Sequence, residues 1–264
     1  MTGAPALVAV AHGSRDPRAA ATVSSLLEVV RERARGLDVP LDVRAAFLDH
    51  CAPSLPQALG SLDGRPAVVV PLLLTAAYHS KTDIPARLAA AAAARPGLNA
   101  VCADPLGPHR LLIAALERRL AETGTAVCDP AARAATGVVL AAAGSADPTA
   151  NATIAALAAR WRRERGWRAV LPAYASATGP RPAQAVAALR CSGGGPVVVA
   201  TYLLAPGYFA DKVRDAALGA GADAVSSVLG AAPEVADTVI ERYRAALTAA
   251  RHDDGPACPV AALG

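Results

Sequence analysis

Each half of this chain carries the same ordered set of turn-forming residues. His12-Gly13-Ser14-Arg15-Asp16-Pro17 returns as Ala143-Gly144-Ser145-Ala146-Asp147-Pro148. Val68-Val69-Val70 returns as Val197-Val198-Val199, Tyr78-His79 as Tyr208-Phe209, and Leu106-Gly107 as Leu229-Gly230. The first three matches lie at nearly one offset, about 130 positions, and ordered matches at a constant offset are the signature of an internal repeat. A duplicated chain folds as two similar units. Those expected here are residues 1–127 and 137–250, with 128–136 as a linker and 251–264 as a tail.

The first half alternates strand and helix signals. Ala6–Ala11 is a short apolar run, after which Asp16 suits a helix N-cap and Pro17 its first position. Residues 41–47 place Val43, Ala45 and Phe47 on one face of a second strand. Residues 67–74 are apolar throughout, as in a strand covered on both faces. Helices follow over 83–94 and 108–122, with a fourth strand at 98–103 between them. Strand–helix units repeated four times imply a mainly parallel sheet. The fold class is therefore α/β: two duplicated (βα)4 lobes, each built on a mainly parallel four-stranded sheet, with the active site in the crevice between them.

Composition narrows the function classes. Hydrophobic residues make up 53% and aromatics 3%, so the core rests on alanine and branched side chains. The net charge is +4. The one dense basic cluster, around Arg160, Arg162, Arg163, Arg165 and Arg168, reads as a solvated helix face, and no nucleic-acid partner is expected. A mild basic excess still favours an acidic small substrate. No apolar run reaches the roughly 18 residues that a membrane helix needs. Residues 1–7 lack a basic leader region. Five scattered cysteines form no C-x-x-C pair, which argues against a zinc knuckle, an iron–sulfur site or a disulfide framework. The expectation is a soluble cytoplasmic protein with no membrane partner.

His12 ends the first strand and His79 sits just past the third. In an open parallel sheet, ligands bind beyond the carboxyl ends of the strands, so both imidazoles belong to one crevice. The second half keeps the turn residues and loses both histidines, to Ala143 and Phe209. Turn geometry does not need the imidazoles; chemistry in one lobe does. Asp49 follows the second strand and reaches the same rim, with His50 its competitor. Imidazole and carboxylate together suit a borderline divalent ion such as Fe²⁺, Co²⁺, Ni²⁺ or Zn²⁺. His12, His79 and Asp49 form the candidate metal set, and Ser14, Arg15 and Lys81 are candidate substrate contacts. Gly13-Ser14-Arg15 also reads as a phosphate cradle, although neither common glycine-rich phosphate pattern is present. His109, opening a helix after Gly107-Pro108, reads as structural, and His252 as exposed in the tail.

These segments resemble the sirohydrochlorin chelatases, the class II chelatases of siroheme and cobalamin synthesis. The resemblance rests on 11–17, on Phe47-Leu48-Asp49, on Pro71-Leu72-Leu73-Leu74, on Tyr78-His79 with Asp83-Ile84-Pro85, and on 104–109. It runs through the first half and more weakly through the second, as in the long, two-lobed members. It implies insertion of a divalent metal, without ATP or an organic cofactor, into a tetrapyrrole carrying eight carboxylates. It also implies that His12 and His79 hold the metal and act in catalysis. The family's acid after the second strand is usually Glu; here Asp49 stands there. Some cobalt-type members carry a histidine-rich tract or a cysteine motif near the C-terminus. Residues 251–264 hold one His and one Cys, which favours an Fe²⁺ enzyme over a Co²⁺ enzyme. The reading of another class is a metal or tetrapyrrole carrier without catalysis.

Overall fold

A computed structural model describes residues 4–35, 41–75, 83–95 and 97–253. The first half runs β1 (Ala6–Ala11), α1 (Pro17–Ala34), β2 (Val43–Phe47), α2 (Leu55–Gly60), β3 (Ala67–Pro71), α3 (Ile84–Ala94), β4 (Ala100–Cys102) and α4 (Arg110–Ala121). After α5 (Pro130–Ala135) come β5 (Gly137–Ala142), α6 (Pro148–Arg165), β6 (Ala169–Tyr174), α7 (Pro182–Cys191), β7 (Val197–Tyr202), α8 (Tyr208–Gly219), β8 (Ala224–Val225) and α9 (Pro233–Asp253). Both sheets are parallel throughout, ordered β2-β1-β3-β4 and β6-β5-β7-β8. The two lobes are thus copies in topology as well as in sequence. Three strands are shorter than the sequence pattern suggests, starting at Val43 and Ala100 and stopping at Pro71. The expected linker 128–136 contains the one-and-a-half-turn α5, opened by Asp129, which accepts from the Ala131 amide.

Period-two alternation divides each sheet between two cores. In register, Leu7, Val43 and Val68 face inward, as do Val138, Val170 and Val198 in the second lobe, and all six join one core that runs through both lobes. The other faces are covered separately. Val8, Val10 and Val69 pack under α2 and α3. Val139, Ala141 and Val199 pack under α7 and α8. Between the sheets lie α1, α4, α6 and α9, whose buried stripes supply the shared core.

The two halves exchange their last helices. α4 packs on β7 of the second sheet, while α9 packs on β3 and β4 of the first and lies beside α1. The exchange is fastened at both ends. Tyr243 on α9 donates to the Pro5 carbonyl (2.6 Å), and Asp237 pairs with Arg33 on α1. Glu117 on α4 accepts from the Trp161 indole (3.0 Å) and pairs with Arg165, both on α6 (2.9 Å). Arg118 of α4 and Glu234 of α9 join the exchanged helices to each other (2.6 Å). The repeat read along the chain and the lobe read in space therefore differ by one helix. Among the described residues, no helix is long and apolar enough to cross a membrane.

Candidate functional site

In each sheet the chain leaves its first strand towards one edge and returns to the other, so the carboxyl ends of β1 and β3, and of β5 and β7, mark a switch point where loops diverge. Such a point is where open α/β sheets take ligands. Here the two switch points face each other. A cavity of about 640 Å³ lies between them, with His12, Gly13, Ser14, Arg15 and His50 on the wall of the first lobe. Residues 203–210, leading from β7 into α8, form the wall of the second. A smaller adjoining cavity of about 320 Å³ reverses the roles. It is lined by Gly144, Ser145 and Asn151 of the second lobe against Leu72–Thr75 of the first. His12 and Ala143 border both.

The loop after β1 is fixed by backbone. Gly13 has φ +90°, and a Cβ there would lie 1.8 Å from the Asp49 carbonyl oxygen. Gly144 repeats this at φ +85°, 2.3 Å from the Ser176 carbonyl. Asp49 and Ser176 each donate their amide to the residue that follows the first strand, His12 and Ala143, at 2.9 Å. Ser14 and Ser145 both accept from the amide two residues on at 3.0 Å, and Asp16 and Asp147 both cap the next helix at 2.9 Å. The serine's part in shaping the turn is thus common to both lobes.

What differs is chemistry. The exposed His12 ring places Nδ1 3.2 Å from the Gly13 carbonyl, an acceptor only. In that contact the carbonyl accepts, so Nδ1 is the donor nitrogen. In the second lobe Asn151 closes on Ser145 through two hydrogen bonds (2.7 and 3.0 Å); the matching place on α1 is Ala20, and the larger cavity extends there.

The structure brings His12, Ser14, Arg15 and His50 to one cavity. Asp49 is exposed on the adjacent loop, and its carboxylate lies 3.7 Å from Arg87 Nη2. Arg87 is held more closely by Asp83 (2.7 Å) and donates to the Leu48 carbonyl (2.9 Å). His50 adopts a left-handed backbone, φ 62°. His79 and Lys81 lie outside the described residues, in the segment between Thr75 and Asp83 that continues from the cavity-lining Leu72 and Leu73. Among the described residues, no three His, Cys, Asp or Glu side chains cluster to hold a metal. His109 caps α4, accepting from the Leu111 amide (3.4 Å), with Nε2 3.2 Å from Glu241 on α9. Desolvation holds its imidazole below the ordinary value, against the opposing pull of Glu241.

Sequence reasoning placed the site between the lobes but missed the aromatic pair on the second lobe's wall. Tyr208 and Phe209 appeared only as repeat equivalents of Tyr78 and His79, yet both line the cavity and both are exposed. The usable signal was an adjacent aromatic pair opening a helix in an aromatic-poor chain.

The family profile described as CbiX matches residues 6–123 and 137–246, the two copies of the repeat. A sirohydrochlorin cobaltochelatase of Priestia megaterium is 27% identical over 209 residues, covering 78% of this chain and 66% of that protein. This chain thus spans about two thirds of that relative's length. A sirohydrochlorin ferrochelatase of Bacillus subtilis (strain 168) is 26% identical over 246 residues, 90% of each chain. Among solved structures, SirB from Bacillus subtilis with Fe³⁺ superposes with a TM-score of 0.80 at 23% identity, over 94% of this chain and 97% of that one.

Proposed function

Because the chain belongs to the CbiX family, we propose that it is a sirohydrochlorin chelatase that inserts Fe²⁺ into the macrocycle to make siroheme. The observation that carries this reading is the asymmetry of the duplicated loop. One geometry occurs twice, and only the first copy carries an imidazole, His12 where the other has Ala143. In this reading His12 Nε2 and His79 hold the incoming metal ion, which is a substrate. Asp49 completes the set by leaving its loose exposed pair with Arg87, a small cost for an ion pair in water. Insertion releases two pyrrole N–H protons, and a neutral imidazole accepts a proton near neutral pH. Arg15, exposed at the cavity, meets substrate carboxylates by charge-assisted hydrogen bonds, with Ser14 and Lys81 as further contacts.

Iron is proposed on the match to the ferrochelatase, which runs over 90% of each chain. The test is an anaerobic metallation assay with sirohydrochlorin and Fe²⁺, Co²⁺ or Ni²⁺ in turn. The reading expects acceleration well above the spontaneous rate, greatest for Fe²⁺. A greater acceleration with Co²⁺ would move the assignment to the cobalt reaction, and binding without acceleration would make the protein a carrier.

A further inference from the structure

Of the Trp, Tyr and Phe side chains described, Phe47, Trp161, Trp167, Tyr174, Tyr202 and Tyr243 are buried. The other two are neighbours at the start of α8. Tyr208 is 72% exposed and Phe209 40%, and both line the wall of the cavity that faces His12. The fold does not need them there, because α8 is anchored through Val213 and Ala217. Burying a large ring is a main source of folding free energy, so two adjacent rings left in water mark a surface kept for a ligand.

Their setting is fixed. Asp211, in the same first turn of α8, pairs at 2.6 Å with Arg18 on α1. The ring centroids are 5.6 Å apart and the planes meet at 57°. A flat conjugated ligand lying on one ring would meet the other at a tilt, so the pair offers a stacking face and a second apolar contact. Lys212 Nζ lies over one face of the Tyr208 ring, 5.8 Å from its centroid, and so sets a cation next to the pair that can meet a peripheral carboxylate. Within the repeat, Phe209 holds the place that His79 holds in the first half.

We infer that Tyr208 and Phe209 are the platform on which the macrocycle lies while His12 works from the opposite wall. This positioning role rests on the tetrapyrrole reading above. The experiment is a titration of the intact protein with metal-free sirohydrochlorin, followed through the macrocycle's visible absorbance, with no metal present. The proteins compared are the wild type, Tyr208→Phe, Tyr208→Leu, Phe209→Leu and the double leucine variant. Tyr208→Phe keeps a ring and should bind within about twofold of wild type. Each leucine variant keeps apolar bulk but loses the π face, and should bind about three- to tenfold more weakly, the double variant more weakly still. Thermal midpoints should be unchanged, because both side chains are exposed. Wild-type affinity in the double leucine variant would overturn the platform and leave the chelatase reading standing. Equal losses in Tyr208→Phe and Tyr208→Leu would overturn the ring's part at Tyr208. No binding by the wild type would overturn both the platform and the reading on which it rests.

Discussion

Arg18 in the first turn of α1 reaches Asp211 in the first turn of α8, Nη2 to carboxylate 2.6 Å, and so ties together the two walls of the cavity. It also grips Asp16, the cap of its own helix. Both partners of the cross-wall pair are about half exposed, so the pair adds little to global stability. Its effect is on spacing. Asp211→Ala, which leaves the Asp16 cap in place, should raise KM for the tetrapyrrole severalfold and move Tm little. Steady-state kinetics beside a thermal melt check this, and an unchanged KM would show that the walls hold their distance without the pair.

His12→Ala and His79→Ala should each lower kcat at least about a hundredfold, the lower range for loss of a positioned acid–base group. His12 is exposed, so the variant should melt like the wild type. Single-turnover metallation with preloaded macrocycle is the direct measurement. A rate near wild type in either variant removes that histidine from the site.

Gly13→Ala should cost about 2–3 kcal/mol of stability, from a strained φ of +90° together with a Cβ driven into the Asp49 carbonyl. Gly144→Ala, at φ +85° against Ser176, should cost about the same, about 2–3 kcal/mol. Only the first should also distort His12. Urea denaturation and metallation rates compared across the pair separate the structural loss, common to both, from the functional loss, expected in one.

Much of this was legible in the chain. The alternation of apolar runs and capped helices predicts the first sheet and the internal repeat the second, and Asp16-Pro17 and Asp147-Pro148 start α1 and α6 where expected. α5 begins with the same signature, Asp129-Pro130, hidden in a short alanine-rich stretch. The exchange of α4 and α9 is not legible, because an amphipathic stripe says which face of a helix is buried and not which sheet buries it. The cross-wall pair of Arg18 and Asp211 is hidden for a similar reason: the partners lie far apart in sequence and neither belongs to a motif. In the site, His12 stood out because its repeat equivalent lacks the imidazole. The exposure of Tyr208 and Phe209 did not, since aromatic residues are ordinarily read as core.

His109 should make stability fall on mild acidification. Its imidazole titrates below 6.5 chiefly because it is desolvated, and its neutral Nδ1 accepts from the Leu111 amide. A depressed folded-state value favours the neutral form. The contribution is therefore complete above 6.5 and lost as pH falls through the lower folded value. His109→Asn keeps a capping acceptor without a proton to gain. Between pH 7.5 and 5.5 the urea midpoint of the wild type should drop further than that of the variant; parallel curves would exclude the histidine.

Arg15→Ala should raise KM about tenfold with kcat nearly unchanged, the pattern for a charge-assisted contact made equally in ground and transition states. Because Arg15 is exposed, added salt should weaken wild-type binding more than binding by the variant. A salt response identical in both would place the carboxylate anchors elsewhere, with Lys81 and Lys212 next to be tested.

The exchange of α4 and α9 bears on how such a chain can be divided. A break anywhere in residues 122–136 would not yield two independent lobes. The N-terminal fragment would carry the helix that covers β7, and the C-terminal fragment the helix that covers β3 and β4. Each piece alone would expose the inner face of its own sheet, and each would be the missing part of the other. Co-expressed, the fragments should assemble into an interlocked heterodimer. Two copies of a single half, each lending its last helix to the other, would close in the same way, by reciprocal swapping about a two-fold axis.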